Sequence, residues 1–217
     1  MARRSRAKSA QSSPVDADKD RRDRILDVAI RLAEEGGFEN VRQRDVAQQA
    51  GVALGTLYKS FRGKEDLLSA ALERETEVLE KRLDRRPPSG STALARVTEF
   101  FDALTRTMCK KPNYARAIIK AMASGEPEVA SNIVAYQSHI YRMLVSAMRG
   151  PDHPEPEGEP TADELAVALL LQQVWFAALV GWSAKLHGVP RIIEQVSVAM
   201  RLLLAGLAVE RRLEARG

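Results

Sequence analysis

The sequence is poor in cysteine, the residue on which small secreted proteins and many metal sites depend. Cys109 is its only cysteine, which excludes a disulfide framework and a four-thiolate metal site. The 13 glycines and 10 prolines are too few for collagen-like or low-complexity classes. No apolar segment follows the basic amino terminus, so a secretory signal peptide is not expected. The sequence therefore predicts a folded cytoplasmic protein that needs no cofactor.

Catalytic and metal-binding patterns are also sparse. The three histidines, His139, His153 and His187, are not spaced as metal ligands, and no glycine-rich phosphate loop or hydrolase nucleophile motif is visible. We therefore expect a protein that is not an enzyme and holds no metal. One chemical alternative stays open: Cys109 adjoins Lys110, and a neighbouring cation lowers the pKa of a thiol, as in redox sensors.

Positive charge is concentrated at the front of the chain. Residues 1–64 contain 14 Lys and Arg against 9 Asp and Glu, whereas residues 65–217 contain 19 against 20. The sequence pI is about 9.3. A basic excess confined to one segment points to a polyanionic partner, either nucleic acid or an anionic membrane surface.

Hydrophobic spacing predicts helices along most of the chain and no strand-like alternation, so the expected fold class is all-α. Residues 1–18 have no hydrophobic period and are expected to form a disordered basic arm. Thereafter glycine, proline and capping residues indicate where helices begin and end. The proline-rich segment 150–160 is expected to be an exposed, mobile loop, and Thr161 with Glu164 is expected to form a capping box that starts the next helix. The predicted helices span approximately 20–36, 42–50, 52–61, 63–86, 91–110, 113–123, 127–148, 161–184 and 192–212.

One spacing near the front is that of a helix-turn-helix. The motif needs a small residue where two helices approach, here Ala47, and a glycine at the tight turn four positions later, here Gly51. Val46, Val52 and Leu57 supply apolar positions that lock the second helix across the first. Together with the local basic excess, this pattern predicts a three-helix DNA-binding domain over residues 19–67.

The same residues resemble the DNA-binding domain of the TetR family of bacterial transcriptional regulators. The resemblance covers about residues 21–68. It implies a larger helical ligand-binding and dimerisation domain over residues 68–217, and a homodimer that represses from a palindromic, double-stranded DNA operator. The residues that carry it are Gly37-Phe38, Asp45-Val46-Ala47, Ala50-Gly51-Val52, Gly55-Thr56-Leu57-Tyr58, Phe61 and Lys64-Glu65-Asp66-Leu67.

The resemblance also implies which residues contact DNA. Those at the start of the first motif helix would meet backbone phosphates, and those facing outward from the second would enter the major groove. Position 60 is Ser where the family often has Tyr or His, and Val41-Arg42 replaces the usual hydroxyl cap, so phosphate contacts there are expected to differ. The implied DNA-binding residues are Arg42, Gln43, Arg44, Leu54, Gly55, Thr56, Tyr58, Lys59 and Lys64.

The larger domain of the family holds a small-molecule pocket between its helices. The motif run Val52–Tyr58 and the segment Val174–Leu179 are similar to the steroid-catabolism repressors of the family, which respond to a coenzyme A thioester. We therefore expect a small apolar effector, and an acyl-CoA or steroid-CoA ester would fit that expectation. The candidate ligand-binding residues are Phe101, Leu104, Met108, Met122, Tyr136, Ile140, Gln172, Trp175, Phe176 and Leu179. A DNA-binding regulator with no ligand is the alternative.

The last two predicted helices carry too many apolar residues for one buried face. Leu165 to Ala184 is long enough to cross a membrane. However, Gln172, Gln173 and Ser183 interrupt it, and its neighbours are amphipathic helices of a soluble protein. We therefore predict no membrane span and a homodimer interface formed by these two helices.

Overall fold

The fold is described by a computed structural model over residues 14–125, 130–153 and 158–215. Within those ranges the chain forms nine α-helices and one short 3₁₀ turn at Phe38–Asn40, and no strand, which confirms the all-α prediction. The helices are α1 (Pro14–Gly36), α2 (Gln43–Ala50), α3 (Leu54–Ser60), α4 (Lys64–Arg85), α5 (Ala93–Cys109), α6 (Pro112–Met122), α7 (Ala130–Arg149), α8 (Ala162–Ser183) and α9 (Val189–Glu214).

Helix α1 begins earlier than the sequence predicts. It starts at Pro14, so residues 14–18 of the segment expected to be disordered are helical. Proline is favourable in the first helical turn because its φ is already fixed, and Asp16 places a carboxylate near the positive end of the helix dipole. Hydrophobic periodicity does not report this start, because these first turns are polar. Residues 1–13 lie outside the described part of the chain.

The first three helices form a small amino-terminal unit that packs against the start of α4. Ile25, Ala29, Val46, Leu57 and Phe61 are buried together at its centre. Helix α4 then continues without a break and packs against α6 and α7. The boundary predicted at residue 67 therefore falls inside a continuous helix, which joins the two parts mechanically.

The remaining helices form a bundle in which α9 packs against α5 and α8, and α7 packs against α4 and α5. Phe100, Phe101 and Trp175 are buried at its centre. The predicted capping box is present at the start of α8: the Glu164 amide donates to Thr161 Oγ1 at 3.2 Å, and the Thr161 amide donates to the Glu164 carboxylate at 2.8 Å.

Helix α8 and the Val189–Glu210 part of α9 are both long and apolar enough to cross a membrane. However, α8 buries Leu171, Trp175 and Leu179 against the protein interior, as a core helix of a bundle does. Both helices also expose apolar side chains, and we call the exposed apolar residues of these two helices the α8–α9 face. It contains eight of the twelve large exposed apolar residues in the described chain: Leu165, Leu169, Leu170, Val180, Val198, Leu202, Val209 and Leu213.

Candidate functional site

The helix-turn-helix predicted from the sequence is present. Gly51 ends α2 with φ of 67°, a left-handed conformation in which a side chain would be strained. The Val52 amide donates to the Ala47 carbonyl at 3.0 Å and closes the turn. Val46 and Leu57 are fully buried between the helices, so α3 is held rigidly across α2.

The surface of α3 opposite Leu57 is free to meet a partner. Gly55 is exposed, and a β-carbon built there would have no protein atom within 4 Å. Lys59 and Tyr58 are exposed, and Thr56 is half-buried. Leu54 does not face outward as predicted. It is half-buried and packs against the core, because the first turn of α3 lies close to the rest of the amino-terminal unit.

The residues that open α2 have different roles. Arg42 and Arg44 are exposed, and Arg42 caps the helix without a side-chain hydrogen bond, as expected from the missing hydroxyl. Gln43 is half-buried, and its side-chain amide donates to the Phe61 carbonyl at 3.1 Å. This bond ties the start of α2 to the end of α3. Gln43 is therefore engaged in positioning the motif, whereas the two arginines are available to phosphates.

Lys64, which the sequence predicts to contact DNA, has partners within the protein. Its ammonium lies 3.1 Å from the Glu39 carboxylate and 3.9 Å from the centre of the Phe38 ring. Lys120 of α6 approaches the same two groups, at 2.5 Å and 4.6 Å. The hydrogen bonds from Lys120 and Lys64 lower the pKa of Glu39. These contacts link the amino-terminal unit to the bundle through residues that are far apart in sequence.

Helix α6 is also anchored at its first turn. The Glu34 carboxylate accepts hydrogen bonds from the backbone amides of Asn113 and Tyr114 at 3.1 and 3.0 Å. The Asn113 side chain donates back to the Glu34 carbonyl at 2.9 Å. Amides at a helix start otherwise have no partner within the helix, so this arrangement fixes α6 to α1. No sequence pattern indicated this contact, because the partners are 79 residues apart.

A cavity of about 190 Å³ lies between α6, α7 and α8. Five of the predicted ligand-binding residues line it: Met122, Tyr136, Gln172, Trp175 and Phe176. The prediction missed four further lining residues, Ile133, Gln137, Leu169 and Gln173. Burial raises the pKa of the Tyr136 phenol, so its hydroxyl stays protonated.

The other five predicted ligand residues do not line this cavity. Phe101, Leu104, Met108, Ile140 and Leu179 are buried in the core of the bundle. Phe101 packs against Trp175, with ring centres 6.1 Å apart. Apolar residues at helical spacing look the same in sequence whether they fill a core or line a pocket, so the sequence could not separate the two groups.

A larger cleft, of about 620 Å³, lies where α1 meets α4 and the α5–α6 turn. Seven of its eleven lining residues are charged, four of them basic and three acidic, and two pairs are in contact: Arg74 with Asp27 at 2.6 Å, and Lys111 with Glu75 at 3.3 Å. The smaller cavity contains five of the predicted ligand-binding residues, whereas this cleft contains none of them. We therefore regard the smaller cavity as the better candidate for an effector.

The chemical alternatives to DNA binding gain little support. Burial raises the pKa of the Cys109 thiol to about 11, with only partial opposition from Arg116, so Cys109 is not a lowered-pKa thiol. The structure does bring His139 within 4.8 Å of Glu73 and Glu77, a grouping that the sequence did not reveal. The ring nitrogen Nδ1 of His139 contacts Glu80 at 2.7 Å and Arg142 at 2.9 Å. This cluster is a polar network that links α4 to α7.

Two family matches together cover most of the chain. Residues 25–71 match the bacterial regulatory proteins of the tetR family, and residues 90–203 match the tetracyclin repressor-like C-terminal domain. The chain belongs to the TetR family. The first match contains the helix-turn-helix, and the second contains the bundle with its cavity, which confirms the architecture expected from the sequence.

Named relatives extend over nearly the same range. The HTH-type transcriptional repressor KstR of Mycobacterium tuberculosis is 32% identical over 189 residues, 87% of this chain and 83% of that protein. KstR of Rhodococcus jostii is 35% identical over 188 residues, 87% of this chain and 84% of that protein. This agrees with the similarity to steroid-catabolism repressors noted in the sequence.

Solved structures share the fold. A TetR transcriptional regulator from Rhodococcus sp. RHA1 superposes with a TM-score of 0.76 at 23% identity, covering 87% of this chain and 97% of that one. FadR of Thermus thermophilus, a TetR-family repressor in complex with lauroyl-CoA, gives a TM-score of 0.65 at 18% identity, covering 84% and 93%.

Proposed function

We propose that this protein is a cytoplasmic, homodimeric transcriptional repressor that binds a palindromic DNA operator and is released from it by a small apolar effector. The observation that carries the proposal is the rigid helix-turn-helix with an open α3 surface. Gly55 leaves room for close approach to DNA, and Lys59 projects from the same exposed side of α3. The relatives named as transcriptional repressors support the direction of regulation.

DNA contact in this proposal has two parts. Gly55, Thr56 and Lys59 of α3 lie in the major groove, where Lys59 reaches guanine or phosphate. Arg42 and Arg44 neutralise phosphates that flank the groove. In a symmetric dimer the second copy of α3 reads a half-site about one helical turn away.

The α8–α9 face is the proposed dimer interface. Eight large apolar side chains exposed on two neighbouring helices form a surface that is unfavourable in water. A twofold axis through this face would cover it with the same face of a second copy. It would also leave α3 of each protomer free for DNA.

The proposed effector binds through the cavity between α6, α7 and α8. An acyl-CoA or steroid-CoA ester is the finer candidate, supported by the similarity to KstR and by the lauroyl-CoA complex of the structural neighbour FadR. The cavity is smaller than the roughly 300 Å³ at which ligand pockets usually begin, so it would enclose part of such an ester rather than the whole.

Helix α6 offers a direct route from cavity to DNA. Met122, at its end, lines the cavity, while Asn113 and Tyr114, at its start, bind Glu34 of α1. A ligand that favours another position of α6 would change the position of the amino-terminal unit. The fraction of dimers with the correct α3 spacing would then fall.

Fluorescence anisotropy on the DNA duplex upstream of the protein's own gene tests this proposal. We expect binding that survives a large excess of random DNA, and release when lauroyl-CoA or a steroid-CoA ester is added but not when free coenzyme A is added. If random DNA displaced the protein from every candidate operator as effectively as the unlabelled operator itself, the proposed sequence-specific DNA binding would be contradicted. Tight operator binding with no release by any ester would contradict the effector part.

A further inference from the structure

Several buried polar side chains in this bundle are paired with protein groups. The Trp175 indole N–H donates to Thr105 Oγ1 at 2.9 Å, and both residues are buried. The hydroxyls of Thr76 and Ser69 donate to backbone carbonyls at 2.8 and 2.9 Å. Each of these groups has exchanged water for a protein partner, which is the usual condition for burial.

Four buried side-chain atoms have no hydrogen-bond partner among the described residues: the Tyr114 hydroxyl, Arg116 Nε, the Tyr136 hydroxyl and Gln172 Oε1. Only the last two belong to residues that line the cavity. Tyr136 is 2% exposed and Gln172 is 7% exposed. They lie on different helices, α7 and α8, yet both line the same cavity. Leaving such groups unpaired is destabilising, so a function at this cavity is the simplest reason for keeping both.

The rest of the cavity lining limits what can bind there. Within the described part of the chain, the nine lining residues are apolar or carry neutral amide, indole or hydroxyl groups, and none of these nine is Asp, Glu, Lys, Arg or His. A charged group placed inside would lose its hydration without gaining a counter-charge. The part of a ligand that enters this cavity is therefore uncharged.

We propose that Tyr136 and Gln172 form the polar recognition point of the effector cavity, and that the effector is an apolar molecule whose buried end carries a hydroxyl group. This inference rests on the proposed effector function and specifies its ligand class. A hydroxyl is both donor and acceptor: it accepts a hydrogen bond from the Tyr136 O–H and donates one to Gln172 Oε1. Both unpaired atoms are then satisfied by one ligand oxygen.

Three probes that share one ring system separate the possible ligand classes. 2-Naphthol carries a hydroxyl, naphthalene carries no polar group and 2-naphthoate carries a negative charge. We expect the wild-type protein to bind 2-naphthol about 10-fold or more tightly than naphthalene, because two hydrogen bonds are made instead of two groups left unpaired. We expect 2-naphthoate to bind most weakly. Isothermal titration calorimetry at neutral pH measures all three.

Two variants remove the polar atoms while nearly preserving shape: Tyr136→Phe and Gln172→Met. Each should weaken 2-naphthol binding severalfold, and each should leave naphthalene binding unchanged or tighter. Both variants should unfold at a temperature no lower than the wild-type protein, since each removes a buried unpaired atom. Tyr114→Phe is the matched control: it removes another buried tyrosine hydroxyl, at a residue that does not line the cavity, and should keep the wild-type preference.

The results separate this inference from the proposed function. Naphthalene and 2-naphthol binding equally, tightest binding by 2-naphthoate, no binding by any probe, or a preference for 2-naphthol that survives in both cavity variants would each overturn the recognition pair. Operator binding is measured on the same preparations. Loss of sequence-specific operator binding in the wild-type protein would instead overturn the proposed function, whatever the probes show.

Discussion

At the scale of single residues, the structure separates side chains that position the helix-turn-helix from those available to DNA. Gln43 and Lys64 were both expected to contact DNA, but one bonds the Phe61 carbonyl and the other pairs with Glu39. Gly55 and Lys59 lie on the exposed side of α3, and no side-chain partner holds Lys59 within the described part of the chain. DNA affinity and structural stability should therefore respond to different substitutions.

Gly55→Ala should separate the two properties. The added β-carbon meets no protein atom, and alanine is the better helix former, so stability should rise by up to about 1 kcal/mol. Specific operator affinity should fall at least several-fold, because the methyl group occupies space needed for close approach to DNA. Thermal unfolding and anisotropy titration measure the two effects. Unchanged affinity would show that DNA does not approach α3 at this position.

Lys59→Ala and Lys64→Ala should have different effects. Loss of Lys59 should reduce operator affinity by about 1–3 kcal/mol and relax base preference if the ammonium reads a guanine. Loss of Lys64 should chiefly disturb the contact with Glu39 and Phe38, with a smaller change in DNA affinity. Anisotropy with operator and mutated duplexes measures both, and Lys81→Ala, an exposed lysine of α4, is the control. Equal losses in Lys59→Ala and Lys64→Ala would contradict this division of roles.

At the scale of elements, the start of α8 is fixed by one buried arginine. Arg149, at the end of α7, donates to both oxygens of Glu164 at 2.7 Å and to the carbonyls of Gly158 and Glu159. Its side chain is only 4% exposed. It therefore holds Gly158 and Glu159, at the carboxyl-terminal side of the proline-rich connection that the sequence predicts to be an exposed, mobile loop. Residues 154–157 of that connection lie outside the described part of the chain.

This ion pair predicts a pH dependence of stability. The hydrogen bond from Arg149 holds the pKa of Glu164 at about 2, below its ordinary value of 4.5. A lowered pKa means that the stabilisation is present above about 4.5 and is lost as the pH falls towards 2. Glu164→Gln should therefore lower the free energy of unfolding by about 1–2 kcal/mol at pH 7, and by progressively less below pH about 4.5.

Urea unfolding followed by circular dichroism, repeated across this pH range, measures the difference. Asp102→Asn is the control, because Asp102 forms an exposed pair with Arg106 on a single helix and contributes little. A deficit in Glu164→Gln that stays constant down to pH 3 would show that the carboxylate charge is not responsible.

At the scale of the whole molecule, the exposed apolar side chains are concentrated on two helices, α8 and α9. A monomer gains no stability from exposing them, so they indicate a partner surface. Helices α8 and α9 pack against each other, and α9 packs against α5, yet both α8 and α9 keep exposed apolar residues. The candidate effector cavity opens beside α8, since Leu169 of that helix both lines the cavity and is 41% exposed. Dimerisation and effector binding are therefore expected to influence one another.

Leu202→Glu should disrupt the dimer. Leu202 is 64% exposed on α9, and a carboxylate there would be buried without a partner against the second copy. We expect a folded monomer by sedimentation velocity and at least a tenfold loss of operator affinity. Val78→Glu is a matched control, since Val78 is also 64% exposed but lies on α4. A Leu202→Glu protein that stays dimeric would place the interface elsewhere.

Several elements were predictable because their signals are local in sequence. Gly51 and its neighbours specify the turn of the motif, and Thr161 with Glu164 specifies the start of α8. The start of α1 was missed because its first turns are polar and carry no hydrophobic period. The sequence also could not predict that Met122 and Tyr136 line the cavity whereas Phe101 lies in the core, since all of these residues share the same helical spacing.

The sequence by itself determined the helical class, the DNA-binding motif and the family, because each depends on residues within a few turns of one another. Tertiary structure decided what distant residues do together. It showed Glu34 holding α6 and Lys120 sharing Glu39 with Lys64, and it brought Tyr136 and Gln172 to one cavity. The residues in these contacts are far apart in sequence and come together only when the helices pack. Hydrophobic periodicity along the chain therefore cannot predict them.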